Sequence, residues 1–332
     1  MSGAGCAPRG SATSRRAPSR PPPPPHSFRG IRAETVTYPG AELPARTRRV
    51  DSDGVGLNVV EWGDEGDPPL LLAHGGFDFA GTFDVFAPML AAGGWRVVAW
   101  DQRGHGDSEH SELYAWSADM RDALAVLDSI GPEPMPFIGH SKGGGITLQL
   151  ADTVPHRVSH VVSIDGLPSP RPRPDVSDHE RTRLLDTELA DWLAHRRRAA
   201  GHQRRPGTLD ELAARRGRMN PRMAAEWLRY LVTRGARLDA EGWRWKIDPI
   251  MRFGGFGPHR PQWTLDRLPG LAPPLLAFLG LAAEPMGWGT TQGELDPYLP
   301  PGAQMEVYDD VGHFVHVERP RQVADRILEF LA

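Results

Sequence analysis

The chain has 332 residues, a formal net charge of -4, and 39% hydrophobic and 24% charged residues, a globular mixture that excludes collagen-like, wholly disordered and disulfide-scaffold proteins. The single cysteine, Cys6, cannot form an internal disulfide, and there is no run of about 18 apolar residues to span a membrane, so a cytoplasmic protein is expected. The slightly acidic balance argues against nucleic acid as the main partner.

Charge divides the chain into three territories: a net +7 over residues 1–50, a net +8 over 171–268, and -19 over the remainder. Residues 1–30 are Gly, Pro, Ala, Ser and Arg around a five-proline run at 21–25, so a disordered Arg/Pro-rich tail is expected over 1–45. Arg15-Arg16 is not followed by the apolar stretch that a twin-arginine export signal needs. Arg49–Ser52 and Gly56–Trp62 then read as a hairpin around Asp53-Gly54. Pro69–Ala73 and Arg96–Trp100 are continuous apolar runs of the kind buried in a parallel sheet. Between them, Phe83–Ala92 reads as a helix ended by Gly93-Gly94. Ala115–Ile130 is amphipathic, with Met120, Leu124, Leu127 and Ile130 at helical spacing, and Gly131-Pro132 stops it. A strand at Pro136–Gly139, a helix from Lys142 to about Asp152 and a strand at His160–Ile164 continue the alternation. Residues 171–268 break it with a helical, Arg-rich stretch carrying Trp192, Trp227, Trp243, Trp245 and Trp263. Strands at Pro274–Leu279 and Gln304–Tyr308 and a helix at Pro320–Phe330 then restore it. The expected fold is α/β, a doubly wound, mostly parallel sheet, with a core over 46–170 and 269–332 and a helical insertion over 171–268.

Gly139-His140-Ser141-Lys142-Gly143 is a Gly-x-Ser-x-Gly sequence between an apolar strand and a helix, the context in which a serine stands at a sharp strand-to-helix turn. There Ser141 is the expected nucleophile, at a helix N-terminus that favours developing negative charge. A serine hydroxyl needs a general base, and His313, in the loop after the last strand, is the expected one. An acid should orient its imidazole. Glu284, the first carboxylate after the strand Pro274–Leu279, is the expected acid, and Asp165, at the end of the strand His160–Ile164, is the alternative. His74-Gly75-Gly76-Phe77 follows the first buried strand, so the backbone N–H of Gly76, with that of Lys142, is the expected oxyanion hole, and Phe77 the expected pocket wall.

Four segments in this order resemble the α/β-hydrolase fold family over about residues 50–332. They are Ala73-His74-Gly75-Gly76, the run from Asp101-Gln102-Arg103-Gly104-His105 to Ser108, Gly139 to Gly144, and Gly312-His313-Phe314 with Glu318 and Pro320. The resemblance implies an α/β-hydrolase core, a structural role for the 101–108 loop, and a helical cap over the site, matched in place by 171–268. It also implies that same-fold dehalogenases and epoxide hydrolases carry aspartate where this chain has Ser141. Lys142 departs from the small or apolar residue common after the serine, so its side chain either meets an anionic group of a substrate or pairs with a nearby acid.

The expected function is a serine hydrolase that cleaves a carboxylic ester, lactone or thioester through an acyl-enzyme. A same-fold enzyme of other chemistry, such as a C–C bond hydrolase or a cofactor-free haloperoxidase-like enzyme, and a non-catalytic ligand-binding module are the alternatives. No cofactor and no metal is expected, because neither a helical His-x-x-x-His nor a cysteine cluster is present. The expected partner is a small-molecule acyl substrate, with no nucleic acid and no stable membrane insertion, and nothing in the sequence sets an oligomeric state.

Overall fold

The apolar runs become strands whose successive side chains enter opposite faces of one sheet. The computed structural model describes residues 36–170, 181–251, 261–287 and 289–332, and Thr35–Ala332 form one compact unit. In chain order the elements are β1 (Arg46–Ser52), β2 (Val55–Trp62), β3 (Pro69–Ala73), α1 (Phe86–Ala92), β4 (Arg96–Trp100), α2 (Trp116–Ile130), β5 (Met135–His140), α3 (Lys142–Thr153) and β6 (Val158–Ile164). An insertion follows, with α4 (Arg181–Ala199), α5 (Leu209–Met219), α6 (Ala225–Gly235), a hairpin of β7 (Ala236–Asp239) and β8 (Gly242–Trp245), and α7 (Pro261–Arg267). The chain returns to the sheet through β9 (Leu275–Gly280), α8 (Gln292–Leu295), β10 (Gln304–Tyr308), α9 (Val315–Glu318) and α10 (Pro320–Leu331).

The large sheet has the order β1-β2-β4-β3-β5-β6-β9-β10. β1 and β2 are antiparallel, and β2 meets β4 antiparallel; every other neighbouring pair is parallel. The order reverses direction around β3, where the chain steps first to β4 and then back across to β5. In such sheets the loops beyond the carboxyl ends of strands at the reversal form the ligand crevice. β6 and β9 are hydrogen-bonded neighbours, so the insertion leaves and re-enters at one place in the sheet.

Period-2 alternation sorts the core into two layers. Leu71 and Ala73 of β3, Val98 and Trp100 of β4, and Leu275, Ala277 and Leu279 of β9 pack with Leu127 of α2 and Leu148 of α3. Their neighbours Leu70, Leu72, Val97, Ala99, Leu276 and Phe278 pack on the other face with Phe86 and Leu90 of α1 and Ile327 of α10. A third cluster belongs mainly to the insertion: Leu212, Trp227, Leu228 and Leu231 close around Phe79 and Phe314, which come from the core. The insertion is thus seated on two residues that adjoin the expected site loops.

The insertion's positive charge meets core carboxylates directly. Arg196, Arg216, Arg222, Arg234, Lys246 and Arg267 pair with Glu112, Asp78, Glu318, Asp84, Asp107 and Asp152.

The structure differs from the expected organisation in two places. Residues 1–35 lie outside the described residues, but within 36–45, assigned to the tail, Val36, Tyr38 and Ala41 pack against the insertion's cluster. Tyr38 meets Trp227 edge-on at 4.8 Å between ring centroids, and the Glu42 N–H donates to the Asp84 carbonyl. Val36 and Tyr38 supply enough apolar surface to hold that segment on the insertion. The insertion, in turn, is not wholly helical, since Trp243 and Trp245 lie on the β7–β8 hairpin. Among the described residues no helix is long and apolar enough to cross a membrane.

Candidate active site

The elbow is built from close backbone approach. A Cβ at Gly139 would strike the Gly143 carbonyl, and a Cβ at Gly143 would strike that of Ala73. Only glycine lets β5, α3 and β3 converge this tightly. Between these glycines Ser141 takes φ 53°, ψ -120°, and its N–H donates to the Ile164 carbonyl at 3.0 Å. Among the described residues four non-glycines have positive φ; Asp53 is in the β1–β2 turn, while Phe77, Ser141 and Asp165 all stand just beyond parallel strands. Each such residue stores about 1–3 kcal/mol, which persists only where the surroundings hold it.

His313 lies in the loop between β10 and α9 and is 2% exposed. Its Nδ1 is 2.5 Å from Asp165 Oδ2, and Asp165 is 3% exposed. An N–H at Nδ1 donating to this carboxylate makes Nε2 the nitrogen of the ring that can accept a proton. The other Asp165 oxygen accepts the Gly280 N–H at 3.2 Å, which fixes the carboxylate plane. The His313 loop lies against the Ser141 turn: the ring of His140, the residue before Ser141, is 4.7 Å from the His313 ring, and His140 Nε2 donates to the His313 carbonyl at 3.0 Å.

Glu284, the first choice from the sequence, is drawn into the same neighbourhood but meets a different atom. Its Oε1 accepts the backbone N–H of His313, while the ring faces Asp165. Burial raises the Glu284 carboxyl above its ordinary range, opposed by the His313 N–H it accepts. A second carboxylate, Glu318, accepts the Gly312 N–H at 2.8 Å, so the loop is held from both sides.

Lys142 heads α3, where first-turn N–H groups have no intrahelical acceptor. A Cβ placed on Gly76 would lie 3.8 Å from Lys142 Cδ, which puts the Gly76 turn beside the elbow. The Lys142 ammonium pairs with Asp119 Oδ2 at 2.7 Å, the second of the two fates open to it in the sequence. Asp119, in the first turn of α2, has a carboxyl raised by burial and held down by Lys142. Phe77, at φ 56°, donates its N–H to His105 Nε2 at 3.1 Å. His105 Nδ1 in turn donates to the Arg103 carbonyl.

The model of the alpha/beta hydrolase fold matches residues 68–320 of this chain. The chain belongs to the α/β-hydrolase fold family. Epoxide hydrolase A of Mycobacterium tuberculosis is 29% identical over 86% of this chain and 96% of its own length. The sn-1-specific diacylglycerol lipase ABHD11 of Mus musculus is 24% identical over 81% of this chain and 83% of its own. Among solved structures, a thioesterase domain from the curacin biosynthetic pathway superposes with a TM-score of 0.72 at 22% identity, covering 86% of this chain and 99% of that one. The α/β-hydrolase chain described here is accordingly a hydrolase by family.

Within this α/β hydrolase, the sequence motifs mark the turn at Ser141, the loop of His313 and the turn after β3. They do not reveal that the 101–108 loop reaches the site. Asp101 accepts from Ala80, Asp107 and Asn58, which shapes the loop so that His105 meets Phe77. Nor do they reveal Arg216 of the insertion, whose Nη1 donates to the Phe77 carbonyl at 2.7 Å. Among the described residues no group of three or more His, Cys, Asp or Glu is placed to hold a metal ion.

Proposed function

We propose that this hydrolase cleaves a carboxylic ester, lactone or thioester through Ser141, His313 and Asp165. The observation that carries the reading is the 2.5 Å contact of His313 Nδ1 with buried Asp165, in a loop packed on the Ser141 elbow. His313 Nε2 takes the Ser141 proton, and the alkoxide attacks the acyl carbonyl. Asp165 stabilises the imidazolium that results. The N–H groups of Gly76 and Lys142 hold the tetrahedral oxyanion, helped by the N-terminal end of α3. His313 then protonates the leaving group, and the same base activates water to release the acyl-enzyme. Phe77 forms a wall of the acyl pocket, and the 171–268 insertion serves as the cap.

Epoxide opening is the chemistry named for the Mycobacterium tuberculosis relative, but a serine suits it poorly. Attack by an alcohol would leave an ether on the enzyme that water does not cleave, whereas a carboxylate would leave a hydrolysable ester. Acyl transfer has no such dead end, because the serine ester is itself hydrolysable.

A fluorophosphonate probe tests the reading with wild type, Ser141→Ala and His313→Ala side by side. Labelling of the wild type alone is expected. Labelling that survived in Ser141→Ala would overturn the assignment of the nucleophile.

A further inference from the structure

The turn that carries the proposed oxyanion donor is held at both ends of one residue. Phe77 sits at φ 56°, a conformation that a large aromatic residue occupies only under constraint. His105 takes its N–H, and Arg216 takes its carbonyl. The two grips come from different parts of the fold: His105 belongs to the loop after β4, and Arg216 to α5 of the insertion.

Arg216 makes three contacts with one guanidinium. Besides the Phe77 carbonyl, its Nη2 pairs with Asp78 Oδ1 at 3.3 Å, and its Cζ lies 5.7 Å from the centroid of Phe314. Phe77 and Asp78 immediately follow Gly76, and Phe314 immediately follows His313. The Asp78 side chain is 1% exposed and that of Arg216 13%, so this ion pair is sealed between core and insertion. A planar fork can reach a carbonyl and a carboxylate together, which a lysine ammonium on one stem does less well.

We infer that Arg216 is a positioning residue for the oxyanion hole, so that the Gly76–Phe77 turn reaches its working geometry only while α5 of the insertion is docked. The inference rests on the serine-hydrolase reading above. The insertion then does more than cover the site, because it supplies half of the clamp that orients the donor. Displacing a donor by about 1 Å costs on the order of a hundredfold in rate.

The test compares wild type with Arg216→Ala, Arg216→Lys and Arg234→Ala. Arg234 also docks the insertion, through Asp84, and serves as the control. Two readouts are taken: turnover of p-nitrophenyl acetate, and mass-spectrometric amide exchange of peptides spanning residues 74–79. Arg216→Ala should lose about ten- to a hundredfold in kcat with KM changed by less than about threefold. Added methylguanidinium should restore part of that loss, and exchange in 74–79 should accelerate. Arg216→Lys keeps the charge and should remain folded while recovering only part of kcat. The inference is overturned if exchange in 74–79 matches wild type, or if Arg234→Ala loses kcat equally. Ester turnover that is absent from wild type, or retained in Ser141→Ala, counts against the hydrolase reading instead; the exchange result decides the clamp in either case.

Discussion

A carboxylate that accepts an imidazole N–H and one that accepts the same residue's backbone N–H have separate consequences. Asp165 accepts a hydrogen bond from the Nδ1–H of His313 and so sets its tautomer; Glu284 accepts one from the His313 amide N–H and so sets the position of the loop. Asp165→Asn keeps the side-chain volume and a backbone that tolerates φ 43°, but it no longer supports the imidazolium. Turnover of p-nitrophenyl acetate by Asp165→Asn should fall by about a thousand- to ten-thousandfold. Glu284→Gln retains an oxygen acceptor for the His313 amide, so its loss should stay below about tenfold. The reverse ranking would make Glu284 the triad acid.

At the scale of elements, the elbow and the turn after β3 both use glycine, for different reasons. A Cβ at Gly143 would overlap the Ala73 carbonyl oxygen and lie 2.7 Å from the His74 carbonyl oxygen, both main-chain atoms that cannot swing away. A Cβ at Gly76 meets nothing nearer than 3.8 Å. Gly143→Ala should therefore lose about 3 kcal/mol or more of unfolding free energy in urea, with β3, β5 and α3 forced apart. Gly76→Ala should stay within about 1 kcal/mol of wild type and, since it keeps its backbone N–H, should still react with a fluorophosphonate. Equal stability of the two variants would contradict the close approach. The same convergence explains how much of the site was legible beforehand. Glycine spacing around Ser141 shows in the sequence, although the atoms that require Gly143 belong to Ala73 and His74. The clamp on Phe77 uses His105 and Arg216, 28 and 139 residues away, and no local pattern announces it.

Over the whole molecule, buried histidines make stability depend on pH. His74, His105, His140 and His316 are all nearly inaccessible, and burial depresses each, to about 4 for His74 and about 3 for His316. The folded protein keeps them neutral, while the unfolded chain takes up their protons near pH 6.5. Below that pH the unfolded state binds more protons, so stability falls with pH until each folded-state value is reached. Each such group contributes a slope of at most about 1.4 kcal/mol per pH unit between its unfolded and folded values. The buried carboxyls of Asp84, Asp101 and Asp119 are raised and act with the opposite sign, which flattens the slope. His316 lies among Phe83, Phe86 and His140, and neither of its ring nitrogens has a hydrogen-bond partner among the described residues. His316→Phe should reduce the fall in unfolding free energy between pH 6 and pH 5 by about 1 kcal/mol, measured by urea titration at each pH. An unchanged slope would mean that His316 takes up no extra proton on unfolding.

The order of the core strands and helices, the place of the insertion, the turn at Ser141 and the loop that carries His313 were legible in the sequence, whereas the β7–β8 hairpin was not. Those features follow from continuous apolar runs, from period-3.6 patterning and from glycine spacing, all of which show over a few residues even though Gly143 also meets Ala73 of the distant strand β3. Tertiary structure decided which carboxylate reaches the imidazole. Asp165 and Glu284 leave the ends of neighbouring strands β6 and β9, and both arrive at His313. The ring and the amide of His313 point to different sides of its loop, and that geometry is set by partners 148 and 29 residues away rather than by residue type. The same holds for the insertion: its net charge was readable from composition, but which arginine meets Asp78 and the Phe77 carbonyl depends on the docking of α5.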